Sequence, residues 1–357
     1  MPGSSATTSS PSGTTTTRPI SEGISAGRCH GSARRQSSCA ASSPGLPSGG
    51  SVRSTSGEAS SWRTTASGCR RFSWLRSEGS ETTVSVPNIF HFVFGLRKQT
   101  EPFHLCHYLA IESCARVNGP DAIYLHYHHE PWGEYWDRVR HRVRLERVEL
   151  VRRVARHRYG WRNRDCKRYA YAHHADFIRL DALIERGGVY ADIDTIFVNP
   201  IPAELRERDM VLGREDDIVD QTTGETKRSL CNALIMCAPG AEFAVRWRAS
   251  LDGAFDGSWS GHSTLLPQRL AEEDPQLVHI EPARSFYPHM WTREGLHTLL
   301  EGCDPDFAGI YSMHLWSHLW WEEGRRDFSD FHAGLLTEDY VRNVATTYGL
   351  VARRFLA

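Results

Sequence analysis

Lysine is nearly missing from this 357-residue chain: Lys98, Lys167 and Lys227 are its only lysines among 42 basic residues, and arginine supplies the rest. Long apolar runs are missing as well. No stretch reaches the roughly 18 uninterrupted apolar residues of a membrane span, and the N-terminus lacks the apolar core of a secretory signal, so a cytoplasmic location is expected. The nine cysteines are odd in number and nowhere spaced C-x-x-C, which excludes a disulfide framework or a zinc ribbon and suits reduced thiols. A broad basic face is also absent. Residues 1–83 carry nine basic and four acidic side chains, net +5, which leaves the remainder at −6 and argues against a general nucleic-acid binder.

Residues 1–83 are rich in Ser, Thr, Gly, Arg and Pro and show neither helical nor strand periodicity, so they read as a disordered tail ahead of a folded domain at 84–357. Val84 and Val86 stand just before the first strand-like run, and a start at either would make the tail non-native. Ordered patterning begins at Asn88. A buried strand, Ile89 to Phe94, is followed by a helix with Thr100 as its cap, Pro102 in its first turn and a stop at Asn118-Gly119-Pro120, and then by a second strand, Ala122 to His128. Strand, helix, strand at this spacing is a βαβ unit, which places the fold in the α/β class with a mainly parallel sheet and ligands at the strands' carboxyl ends.

Residues 138–168 carry twelve arginines, more than the neighbouring glutamates can neutralise, and His141 to Leu145 alternates like a strand with one wet face. The segment is either a solvated surface or a patch for an anion, such as a phosphorylated acceptor or an anionic membrane surface. Beyond it, Cys166 to Arg186 reads as one long helix with Phe177, Leu180 and Ile184 on a stripe and Gly187-Gly188 as the stop.

A short strand, Val189-Tyr190-Ala191, then delivers Asp192-Ile193-Asp194. Strand alternation would face both aspartates to one side while Ile193 packs inward. Two carboxylates aimed at one point suit a hard divalent cation, Mn²⁺ or Mg²⁺, which in turn suits the oxygens of a nucleoside diphosphate. An acidic pair alone is weak, since such pairs are common on surfaces.

Its context is more specific. Ala175-Asp176-Phe177-Ile178-Arg179-Leu180, with Gly187-Gly188-Val189-Tyr190-Ala191-Asp192-Ile193-Asp194, resembles the sugar-binding DXD glycosyltransferases (glycosyltransferase family 32), whose pattern is SDxxRxxxLxxxGGxYxDxD, and is similar to the same block of the clostridial glucosylating toxins. Four further segments follow the family in order: Val86 to His91, Asn232 to Met236 with Pro239-Gly240, Ser285 to Pro288, and His314 to His318. The resemblance, over about residues 86–320, implies a GT-A fold, a UDP- or GDP-sugar donor, Mn²⁺ or Mg²⁺, retention at the anomeric carbon, and an acceptor that is carbohydrate, lipid or protein. It implies that Asp176, Arg179, Tyr190 and Asp192 hold the donor, that Asp192, Asp194 and Asn232 serve catalysis, and that Asp194, Asp192 and His314 bind the metal, Asp194 directly. Phe94 stands where relatives often place a base-stacking tryptophan, which leaves the base open. The plainer alternative for Asp176 and Arg179 is a surface ion pair, for Asn232 a turn residue, and for His318 a place in an aromatic cluster with Trp316, Trp320 and Trp321.

Two rivals share these motifs. Asp192-Ile193-Asp194-Thr195 also satisfies the D-x-D-x-T pattern of haloacid-dehalogenase-like phosphatases, with the first aspartate as nucleophile. That class needs a lysine followed by an acidic pair, whereas Asp216-Asp217 precedes Lys227 and no lysine follows it. The other rival is an inactive sugar-binding protein.

Overall fold

The computed structural model describes residues 85–215, 217–219 and 226–356. The expected tail and the junction at Val84 lie outside the described residues. Val86 is buried, and its N–H donates to the Arg206 carbonyl at 2.7 Å.

Among the described residues, eleven strands occur in chain order: β1 (Ile89–Val93), β2 (Ala122–Tyr127), β3 (Arg144–Arg147), β4 (Gly188–Ala191), β5 (Thr195–Phe197), β6 (Met210–Arg214), β7 (Ile218–Val219), β8 (Thr226–Lys227), β9 (Leu230–Cys237), β10 (His279–Glu281) and β11 (Ser312–His314). Seven form the central sheet in the order β10-β6-β9-β4-β1-β2-β3. All its neighbours run parallel except at β9, which is antiparallel to both β6 and β4. The fold is therefore the expected α/β arrangement, a mainly parallel sheet with helices against it.

Alternation along β4 decides what each face packs against. Val189 and Ala191 join Phe90, Phe92 and Leu109 of the Leu105–Asn118 helix in one core cluster, together with the C-terminal segments. Tyr190 points the other way, into a second cluster with Phe177, Leu180 and Trp247 from the Ala170–Arg186 and Glu242–Ala254 helices.

Three local expectations need correction. The first helix begins at Leu105, with His104 and not Thr100 as its cap. Phe103 explains the delay: its N–H donates to the Trp132 carbonyl at 2.8 Å, which ties the bent loop before it to the Trp132 segment. The long helix begins at Ala170 and not Cys166, because Trp161–Tyr169 winds as a 3-10 segment broken at Asn163; a run this polar offers no apolar stripe to bury. The strand expected from His141 begins at Arg144, after a 3-10 turn at Arg140–Arg142. Several arginines of the rich segment find acids that are remote in sequence, Arg138 with Glu338 at 2.6 Å and Arg142 with Glu112 at 2.7 Å, so neutralisation does not depend on the neighbouring glutamates.

The Gly187-Gly188 stop is as expected, and it is obligatory. Gly187 sits at φ +68° and its N–H closes the helix on the Leu183 carbonyl at 2.8 Å. Gly188 sits at φ +104°, and a Cβ there would lie 2.5 Å from the Ile89 carbonyl oxygen of β1. Only glycine adopts that backbone while letting two strands approach this closely.

Candidate active site

The acidic motif sits at the carboxyl end of β4. It is a tight turn, not the continued strand that alternation implied: the Thr195 N–H donates to the Asp192 carbonyl at 2.9 Å, and the Asp192 N–H donates to the Ala233 carbonyl of β9 at 2.8 Å. The turn itself brings the carboxylates together, and Ile193 is half-buried against the core.

β5 leaves this turn and pairs antiparallel with β11, Thr195 opposite His314. That register carries a histidine from 120 residues downstream onto the motif. His314 Nε2 lies 3.0 Å from Asp194 Oδ1 and 3.8 Å from Asp192 Oδ2. The chain then corners at Trp316, the one non-glycine residue with positive φ among the described residues (φ 53°). Such a conformation persists only when its surroundings enforce it. Here the Trp316 indole N–H donates to the His289 carbonyl at 2.9 Å, and its ring lies 4.2 Å from that of His314. The corner aims the Ser317 N–H at Asp194 Oδ2, 2.8 Å away, and the Leu315 N–H at the Asp194 carbonyl, 3.0 Å away. Ser317 was not singled out from the sequence, although it lies within the block His314 to His318.

The electrostatics follow from this burial. Desolvation opposes the charge on Asp194, but His314 and the Ser317 N–H outweigh it and hold the carboxyl far below its usual range. Desolvation likewise opposes a charged His314, and Asp194 reverses it, raising the imidazole above its ordinary value. Asp192 differs. Burial raises its carboxyl despite Arg179, although Tyr190 Oη donates to it at 2.5 Å.

Asp176 and Arg179 are not a surface ion pair: their side chains are 8% and 4% exposed, with Arg179 Nη2 3.2 Å from Asp176 and 3.4 Å from Asp192. Arg179 also donates to the Asn232 carbonyl at 2.6 Å and lies over the Tyr190 ring, 4.4 Å from its centre. The Asn232 amide donates to Asp176 Oδ1 at 2.8 Å, which makes it a strut and not a turn residue. His262 completes the network, its Nε2 2.8 Å from Asp176 Oδ2. Burial raises the Asp176 carboxyl, but Arg179 and His262 override it and keep it below the usual range. No spacing in the sequence marked His262, which reaches Asp176 across 86 residues.

Apart from the fully buried His262, these groups line one cleft of about 290 Å³ that also reaches Phe94, His107, Trp259, His318 and Trp321. Phe94 is half-buried, edge-on to Phe103 with ring centres 5.0 Å apart. His107, beside it, lies parallel to Trp321 at 5.4 Å. Burial pushes His107 down to about 3 and His318 down to about 4, so both are neutral imidazoles. No lysine lines the cleft among the described residues.

Ligand atoms of Asp192, Asp194 and His314 all lie within 4.8 Å of one another. Two hard oxygens and an imidazole fit a divalent cation such as Mn²⁺. The half-buried Asp192 carboxyl, which desolvation holds above its normal value, is a group whose charged form a neighbouring cation would stabilise.

The acidic turn that His314 closes, at the carboxyl end of a strand of the mainly parallel sheet, falls within a stretch that matches a glycosyltransferase family. Residues 109–221 carry the glycosyltransferase sugar-binding region containing the DXD motif. The chain is similar to glucan organizing enzyme 1 of Cryptococcus neoformans var. grubii serotype A, 33% identical over 241 residues, covering 66% of this chain and 63% of that protein. It thus spans a little under two thirds of that relative's length. Among solved structures, the PaToxG glycosyltransferase matches with a TM-score of 0.35 at 15% identity, covering 54% of this chain and 71% of that one. A transferase mutant matches with a TM-score of 0.31 at 11% identity, covering 54% and 86%.

Proposed function

We propose that the chain transfers a sugar from a UDP- or GDP-sugar to an acceptor hydroxyl with the help of Mn²⁺ or Mg²⁺, retaining the anomeric configuration. The observation that carries this is the convergence of Asp192, Asp194 and His314 at the floor of a cleft whose wall is the buried Asp176, Arg179 and Asn232 network. When bound, the cation neutralises the diphosphate leaving group. Asp194, fixed by Ser317 and His314, is its direct ligand; Asp192, tied to Tyr190 and Arg179, faces the ribose or reaches the ion through water. Asp176 and Arg179 meet the sugar hydroxyls, an acceptor-only carboxylate beside a fork of donors. Asn232 keeps Asp176 in place at the reacting end. The Phe94 ring, braced by Phe103, offers a face to the base.

We assign residues 84–357 to the catalytic domain. A reducing, cytoplasmic setting suits Cys106, Cys114, Cys231 and Cys237, all buried and free, and no helix among the described residues is long and apolar enough to cross a membrane. The Arg-rich 138–168 segment is the face for any peripheral contact with an anionic membrane.

The test is a panel of UDP- and GDP-sugars with Mn²⁺ and the full chain, without acceptor. Slow hydrolysis of one of them is expected. Turnover of none, with p-nitrophenyl phosphate cleaved instead, would transfer the motif to phosphatase chemistry.

A further inference from the structure

The cleft has a second aromatic arm, apart from the residues assigned above to the donor. Trp259 is 39% exposed yet lines the cleft wall. Its ring is 5.5 Å from Tyr169 at 74° and 4.8 Å from His318 at 34°. Three separate segments supply these rings: the 3-10 stretch Trp161–Tyr169, the approach to the π-helical turn Gly261–Leu265, and the 3-10 turn Ser317–Leu319. Arg325 fastens two of them, donating to the Tyr169 hydroxyl at 3.2 Å and to the His318 carbonyl at 2.7 Å, while Asp327 grips its other nitrogens. Irregular helical turns of this kind recur at functional sites.

The arm adjoins the sugar end of the donor site. The His173 ring is 6.4 Å from Trp259 and 5.2 Å from His262, and His262 holds Asp176. A group resting on Trp259 therefore approaches the reacting carbon and not the base. An exposed indole face bordered by hydroxyl and imidazole groups suits a pyranose, which offers an apolar C–H face and a polar rim. An acyl chain would need a continuous apolar groove, and Arg168, Glu322 and His318 interrupt one.

We propose that Trp259, Tyr169 and His318 form the acceptor subsite and that the acceptor is a neutral carbohydrate, with one hexose ring stacked on Trp259. This rests on the donor reading above. In the transfer, the acceptor hydroxyl oxygen bonds to the anomeric carbon, the bond from that carbon to the diphosphate oxygen breaks, its electron pair leaves with the nucleoside diphosphate, and the hydroxyl proton departs with that group.

The full chain, with Mn²⁺ and the nucleotide sugar it hydrolyses, is offered cellopentaose, laminaripentaose and mannopentaose, and in parallel a long-chain alkyl alcohol and a Ser/Thr/Tyr peptide. Transfer to at least one oligosaccharide is expected. Trp259→Ala should lower the ratio of transfer to hydrolysis by about tenfold through a higher acceptor KM, and Trp259→Phe, which keeps a flat face, should recover most of it. Hydrolysis with no oligosaccharide transfer, transfer to the alcohol or peptide alone, or an acceptor KM unmoved in Trp259→Ala would overturn the subsite. Calorimetry with the same oligosaccharides separates the two ideas: Trp259-dependent binding without any hydrolysis overturns the donor reading and leaves the subsite, and neither binding nor hydrolysis overturns both.

Discussion

Arg179→Met should destabilise the chain far more than the loss of an ordinary ion pair. The guanidinium is 4% exposed and stands between Asp176 and Asp192, 3.2 and 3.4 Å away, while donating to the Asn232 and Ala175 carbonyls. Removing it leaves the buried Asp176 carboxylate and the part-exposed Asp192 carboxylate each short of its main cation. Breaking a buried pair from one side costs about 3–5 kcal/mol, a large share of the roughly 5–15 kcal/mol that holds a domain together. For a domain of this size that corresponds to a fall in melting temperature of about 10 °C. Urea unfolding, followed by far-UV circular dichroism and tryptophan fluorescence, measures it, provided the two transitions coincide. Adding Asp176→Asn should recover about 1 kcal/mol or more, since one stranded charge is then gone. Arg246→Met, on the exposed pairs with Glu242 and Asp274, should leave the midpoint in place. If Arg179→Met stays within about 1 kcal/mol of the parent, the buried network does not hold the site as argued.

Two further predictions concern the scaffold. His91 Nε2 must donate to the Gly187 carbonyl at 2.9 Å, so its Nδ1 accepts from His126 Nε2 at 3.0 Å, an arrangement that exists only while His91 is neutral. Burial pushes His91 down to about 4 and His126 to about 3. Since these folded values lie below the unfolded one, the stability is complete above roughly pH 6.5 and is lost as pH falls toward 4, by about 2 kcal/mol at pH 5 for His91 alone. Urea midpoints at pH 7 and pH 5 should differ accordingly, and less so in His126→Gln; a flat profile would refute the pairing. Gly188→Ala should block the approach of β4 to β1, whereas Gly119→Ala, also at positive φ but with nothing within 4 Å of the added Cβ, should cost only about 1 kcal/mol of backbone strain. Equal losses in thermal melts would contradict the steric argument.

The parts of this molecule that the sequence made legible are those governed by local rules. Buried apolar runs set β1, β2 and β4, and Gly187-Gly188 marked the stop because a positive φ and a close strand approach admit nothing else. Asp192, Asp194 and His314 were legible as a set through the resemblance, and the β5 to β11 register gives the physical reason they meet. What stayed hidden depends on distant partners. Nothing near Thr100 shows that Phe103 is tied to Trp132, so the helix start was misplaced. The buried state of Asp176 and Arg179 requires β9 and His262 to close over them, and neither lies within 50 residues of that helix turn in sequence. Arg138 and Arg142 looked unpaired because Glu338 and Glu112 come from elsewhere in the chain.

The most direct test of the donor site is a Mn²⁺ titration followed by electron paramagnetic resonance of the free ion, with UDP or GDP present. The full chain should remove the free Mn²⁺ signal with a stoichiometry of one, and Asp194→Asn should weaken that binding by more than about tenfold while the circular dichroism spectrum stays the same. A parent chain that leaves the free-ion signal untouched, or an Asp194→Asn variant that binds as tightly as the parent, would contradict the account.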